Sequence, residues 1–139
     1  MSFLETVIGY YTDGAHNCSE AIIHAANEYY GLNISDEDLK LFGGFGGGMY
    51  AGIVCGTLVA SVAVLSKMVI KESAKKEGAV IRPVISGLVK DFRNEMGGTS
   101  CAELKPKYFT KEDACLKTVV KAAEVLEKNI DKLNMQSSE

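Results

Sequence analysis

Four cysteines, Cys18, Cys55, Cys101 and Cys115, are the residues of this chain best suited to chemistry. Two sit in matching tetrapeptides, Asn17-Cys18-Ser19-Glu20 and Ser100-Cys101-Ala102-Glu103. Each tetrapeptide starts with a good N-cap residue and ends with a glutamate three positions on, the pattern of a capping box. That spacing predicts Cys18 and Cys101 at the first position of a helix. Cys55 follows a glycine-rich stretch and opens an apolar run, so a helix start is expected there too. Orphan N–H groups and the helix dipole place about half a positive charge at such an end. The charge favours thiolate over thiol and can bring a pKa near 8.5 down to roughly 3.5–7.5. Glu20 and Glu103 oppose it. Cys115 is expected on the buried stripe of the last helix, as a resolving or ligand partner.

A thiolate supports two chemistries. In dithiol–disulfide exchange, one thiolate attacks a disulfide and a second cysteine resolves the mixed species. Cys101 and Cys115 lie fourteen positions apart across a Pro-containing turn, and Cys18 and Cys55 form the other candidate pair by tertiary contact. This mechanism needs at least two sulfurs with Cα atoms within about 7 Å. No C-x-x-C is present, so the geometry is not thioredoxin-like. The alternative makes Cys18, Cys55, Cys101 and Cys115 ligands of zinc or an iron–sulfur cluster, for which four thiolates are the right number. Ordinary zinc sites supply ligands in close pairs, which this spacing lacks. A third reading is a non-catalytic helical scaffold or homo-oligomer with cysteines as core filler, a common role for buried thiols. His16, two residues before Cys18, is a candidate base or ligand, or an exposed loop residue. His24 shares a face with Glu20 and Glu28 and is expected at the surface. Tyr10-Tyr11 and Tyr29-Tyr30 are expected at the core edge. No Ser-His-Asp order or H-E-x-x-H motif occurs.

The stretch Phe42–Gly56 holds seven glycines in fifteen residues. As a phosphate cradle, Gly46-Gly47-Gly48-Met49-Tyr50-Ala51 fits G-x-G-x-x-[GA] only loosely, with no strand before it. As a connector, its glycines allow tight turning. As part of a thiol site, Gly46, Gly47 and Gly48 let a substrate or second cysteine approach Cys55, and their N–H groups can form a nest for negative sulfur. The last reading is preferred.

The elements that must position these thiols are helical throughout. Helices are expected over Phe3–Thr12, over Asn17–Tyr30 with Gly31 as the stop, and briefly after an Ser35 N-cap. A long central helix is expected from about Ile53 to Lys76, ended by Gly78. A further helix, about Val80 to Met96, has Pro83 in its first turn and a close helix approach at Gly87. A short piece follows in "GGTSCAELKPKYF", and a last helix runs from Thr110 to about Asn134. No period-two alternation is convincing. The fold class is all-α: one domain over residues 1–139, a bundle of five to six helices with the glycine loop before the central apolar helix.

Composition narrows the class. Hydrophobic content is 47%, charged content 24% and net charge −3, an ordinary globular balance with no basic block for nucleic acid. Lys71, Lys75 and Lys76 are interleaved with Glu72 and Glu77, which reads as a solvated helix face. The uncharged helical run Ile53–Ser66 has 14 residues, against about 20 needed to span a bilayer. The N-terminus lacks a basic n-region, so the expected compartment is the cytoplasm, where structural disulfides are rare.

The motifs "HNCSEAI", "FGGGM" with "CGTLVAS", "GGTSCAEL" and "DACLKTVVKAAEVL" resemble the four-cysteine redox-active family with a C…CGAxxG…C…C pattern. Thr57 and Ala60 stand where that pattern has Ala and Gly. The resemblance covers nearly the whole chain. It implies a redox role for Cys18, Cys55, Cys101 and Cys115, with a redox partner or small molecule as substrate. Related domains occur in proteins that also bind haem or an iron–sulfur centre, which implies metal ligation as the alternative. As an enzyme, such a protein would be a thiol–disulfide oxidoreductase.

Overall fold

A computed structural model describes residues 1–137 of the chain, with side-chain surroundings described through residue 134. Seven α-helices follow in order: α1 Phe3–Thr12, α2 Cys18–Tyr30, α3 Asp36–Leu39, α4 Gly56–Val69, α5 Gly78–Met96, α6 Cys101–Tyr108 and α7 Leu116–Ser137. The all-α class holds; the count is seven rather than five to six. The short helix expected after Ser35 and the short helical piece expected around "SCAE" both form, as α3 and α6. No strand forms among the described residues, only isolated bridges, Val54 with Ser100 and Thr110 with Ala114.

Local chemistry sets the helix ends. Complete capping boxes start α1 at Ser2, α2 at Asn17 and α6 at Ser100. Ser35 caps α3 by accepting the Asp38 N–H. Left-handed glycines, Gly31 at φ 65° and Gly97 at φ 85°, close α2 and α5.

The central helix α4 packs on α2, α5 and α7, and α1 closes over α2 and α7. Leu58, Ala60, Val64 and Leu65 of α4 meet Ile22 and Ala25 of α2, Leu88 and Phe92 of α5, and Val119 and Leu126 of α7 in one buried cluster. Burying each large aliphatic side chain is worth about 1.5–3 kcal/mol. Alanines along α2 and Gly56 and Ala60 on α4 keep side-chain bulk low where those helices meet. That close approach brings the N-terminus of α2, and Cys18 with it, onto the first turn of α4.

Several expected boundaries move. α4 ends at Val69, not Lys76, because Ile70 turns extended. The Glu77 carboxylate then gathers the N–H groups of Lys71, Glu72 and Ser73 at 2.8–3.1 Å, an acceptor that draws this segment into turns. Lys71, Lys75 and Lys76 are exposed on those turns and not on a helix face. Gly78 begins α5 instead of ending α4, so Pro83 falls in the second turn of its helix. A methyl group at Gly87 would meet open space, so no helix approaches there. α7 begins at Leu116, because Thr110 and Ala114 pair with each other through backbone hydrogen bonds of 3.1 and 2.8 Å. No helix among the described residues is long and apolar enough to cross a membrane.

Candidate functional site: four thiols at four helix starts

All four cysteines stand at the start of a helix. Cys18 and Cys101 are the first residues of α2 and α6. Cys55 is the N-cap of α4. Cys115 immediately precedes α7, and its carbonyl accepts the Val119 N–H at 3.0 Å. The expected place for Cys115 along a buried helical stripe is therefore wrong. The Thr110–Ala114 bridge delays the helix and leaves Cys115 at its mouth. All four sulfurs are free thiols.

Backbone pairing and missing side chains bring them together. The Cys55 N–H donates to Thr99 O at 2.8 Å and the Cys101 N–H to Ile53 O at 2.7 Å, flanking the Val54–Ser100 bridge. Cys55 and Cys101 are thus diagonal neighbours on paired backbones. A methyl group on Gly56 would lie 3.1 Å from Cys18 Sγ and 2.5 Å from the Phe45 carbonyl, so Cys18 reaches the residue next to Cys55 only because Gly56 has no side chain. Electrostatic coupling reports the same clustering. Cys55 and Cys115 act on Cys18, Cys101 acts on Cys55, and Cys101 and Cys55 act on Cys115.

The glycine loop clasps this cluster. Residues 47–50 all have positive φ, including Met49 at 62° and Tyr50 at 54°. A left-handed conformation costs a non-glycine residue about 1–2 kcal/mol. The Tyr50 hydroxyl bonds the Asn17 amide at 3.2 Å, and Asn17 also donates to Gly43 O at 2.9 Å while capping α2. Gly47 offers its N–H to the Cys18 sulfur. A methyl on Gly48 would come within 2.8 Å of Cys101 Cβ, and one on Gly46 would collide with the Asn17 side chain. The three glycines therefore serve Cys18, Cys101 and Asn17, rather than opening a path to Cys55 as the sequence suggested.

Burial overrides the helix dipole. Desolvation pushes the Cys18 thiol up to about 11, against hydrogen bonds from Gly47 and Ser19 that lower it. Burial likewise raises Cys55 and Cys115. These three are thiols at neutral pH, not the resting thiolates expected from helix starts alone. The sign of the stability effect follows. A pKa raised from 9.0 to about 11 favours the protonated folded state, so the contribution is complete below pH 9 and lost as pH rises through 11. On the order of 2–3 kcal/mol is at stake for Cys18. Urea midpoints are expected to fall between pH 9 and 11, and by less once Cys18 is replaced by alanine.

Three hydroxyl side chains accompany the sulfurs, and no role at the site was read for them from the sequence. Thr57 Oγ1 lies 3.0 Å from Cys55 Sγ in the buried interior. The Tyr11 hydroxyl accepts the Cys115 N–H at 3.0 Å and hydrogen-bonds its thiol, so Tyr11 belongs to the site rather than to the core edge alone. Ser19 is fully buried beside Cys18, and its Oγ has no hydrogen-bond partner among the described residues. Only the pairing of Cys18 with a following serine was visible beforehand.

A cleft of about 490 Å³ opens onto this centre between the start of α2 and the segment before α7. Cys18, Cys115, Tyr11 and His16 line it. His16 is half-buried, with Nδ1 2.9 Å from Asp13 Oδ2, and its ring packs tilted against His24 with centroids 4.4 Å apart. His24 is half-buried as well, contrary to the surface placement expected; burial and the neighbouring His16 lower its pKa.

An iron–sulfur cluster or zinc ion needs its sulfurs arranged around one centre. Among the described residues no three His, Cys, Asp or Glu side chains are so arranged. The thiols as placed do not fit such a group.

The profile of a family described as "Putative redox-active protein (C_GCAxxG_C_C)" matches residues 16–129. No curated protein and no solved structure matches the chain. Val54 pairs with Ser100 in the bridge, a place that suits a β-branched residue. With the profile spanning most of its length and four free cysteines in the chain, the protein belongs to the C_GCAxxG_C_C redox-active family.

Proposed function

We propose that this protein is a thiol–disulfide redox protein in which Cys18 attacks and Cys55 resolves, with Cys101 and Cys115 as a second dithiol. The observation that carries the reading is Cys18 Sγ lying over Gly56, one residue from Cys55, while Cys18 also faces the open cleft. Cys18 is thus reachable from solvent on one side and adjacent to a buried thiol on the other. Cys115 feels Cys101 more than any other thiol, which supports the second pair.

The exchange balances with an external disulfide. The Cys18 thiol loses its proton and displaces one thiolate from R–S–S–R, giving a Cys18 mixed disulfide and R–SH. Cys55 then attacks the Cys18 sulfur, releasing the second R–SH and leaving a Cys18–Cys55 disulfide. Two thiols are oxidised and one disulfide is reduced. The second step is intramolecular, where effective molarities reach about 10⁵–10⁸ M.

Mass mapping tests this. The protein is equilibrated in graded reduced and oxidised glutathione, quenched in acid and digested. The expected result is a Cys18–Cys55 linked peptide, with two thiols lost per chain at the first step. Four free thiols across the whole series would overturn the reading.

A further inference from the structure

Three of the four thiols are held protonated, so exchange at neutral pH needs a group that takes the proton as the sulfur attacks. We propose that His16 is that group: a general base for Cys18, held in its working orientation by Asp13. The inference rests on the exchange reading above for its substrate, but not for its test.

The geometry has three parts. His16 and Cys18 line the same cleft of about 490 Å³. The Asp13 carboxylate sits 2.9 Å from His16 Nδ1, which fixes the proton on Nδ1 and leaves Nε2 as acceptor. Asp13 is kept ionised first by the Ala15 N–H and then by His16. The ring itself is fixed on two sides, edge-on to Tyr10 at 5.4 Å and tilted against His24 at 4.4 Å. A carboxylate orienting an imidazole that shares a cleft with a nucleophile is the kind of arrangement that activates one.

In the step, the proton of Cys18 passes to His16 Nε2 as Cys18 sulfur bonds to one sulfur of R–S–S–R. The departing R–S⁻ then takes that proton, leaving R–SH and neutral His16. No further oxidant or reductant enters. The charged and titratable groups around His16 are Asp13 in its own loop, Tyr10 on α1 with its hydroxyl on Glu28, and His24 and Glu20 on α2. Glu112 and Asp113 face it across the cleft, and Asp36 acts on His24. The nearby side chains are therefore mostly acidic.

The test follows alkylation of Cys18 by iodoacetamide, residue by residue, in the full chain from pH 6 to 11. This readout does not require any disulfide to form, so it separates the role of His16 from the exchange reading. His16→Ala is expected to slow Cys18 at pH 7 by about 100-fold, within the usual range for a general base. Added imidazole restores part of the rate, because the cleft has space for it. The gap closes toward pH 11, where Cys18 ionises unaided. Asp13→Asn is expected to lose about 10-fold, through loss of the fixed tautomer. His16→Gln, close in size, controls for packing and is expected to behave as His16→Ala without the imidazole response being needed. Equal rates for wild type and both His16 variants at pH 7 would overturn the proposal. So would a deficit that stays constant to pH 11 and ignores imidazole.

Discussion

Replacing Gly48 by alanine is expected to cost on the order of 3 kcal/mol or more, through two additive effects. The residue has φ +65°, where an L side chain carries an intrinsic penalty. The new methyl group would also lie 2.6 Å from Ile53 N, 2.8 Å from Cys101 Cβ and 3.0 Å from Ile53 O. Two of those three atoms are backbone, so no side-chain rotation relieves the clash. Relief requires moving the segment that holds the Val54–Ser100 bridge, and the bridge is what sets Cys55 beside Cys101. Gly44→Ala is the control. Nothing lies within 4 Å of its added methyl, and its φ is not positive. That change is expected to be neutral or slightly stabilising, by about 0.5 kcal/mol, from reduced unfolded-state entropy. Urea midpoints that are equal for the two variants would show that the left-handed turn does not hold the cluster.

How much of this was legible in the sequence depends on the range of the interaction involved. The capping boxes at Asn17 and Ser100 are local hydrogen-bond codes, and both placed their cysteines at the first helical residue. Gly31, which closes α2, is a local signal of the same kind. Cys115 was misplaced because the Thr110–Ala114 pairing needs Ala114 at φ 52°, which no propensity favours. The early end of α4 was hidden because its cause, the Glu77 carboxylate, lies beyond the expected end of the helix. The sequence tied the glycine loop to Cys55, but the partners it packs on were not readable. Four successive positive φ angles and a tyrosine bonded to the α2 N-cap are tertiary facts. The charge state of the sulfurs failed for a related reason. A helix start is visible in sequence, but the desolvation that outweighs it depends on what packs above, here the loop and α4. His16 shows the same limit. Its distance from Cys18 in sequence was plain, while its bond to Asp13 and its place in the cleft were not.

The largest chemical effect is expected from separating the two steps of exchange. Cys55→Ser keeps a side chain of similar size at a buried N-cap, next to Thr57, and removes only the resolving sulfur. Attack by Cys18 on a small disulfide remains possible, but the mixed disulfide has no neighbour to displace it. The adduct is expected to accumulate to nearly one per chain and to persist until external thiol is added. Cys18→Ser should instead leave no adduct at that position. Intramolecular resolution is favoured over the same step in solution by about 7–11 kcal/mol, so its loss should lengthen the adduct lifetime by several orders of magnitude. Intact-mass analysis after brief exposure to hydroxyethyl disulfide reads both variants directly. If Cys101 or Cys115 resolves Cys18 instead, the Cys55→Ser adduct will clear at the wild-type rate. The linked peptide will then contain one of those two residues. That outcome would move the resolving role across the cleft to the segment where Tyr11 holds Cys115, and would reassign the buried Cys55 thiol to packing.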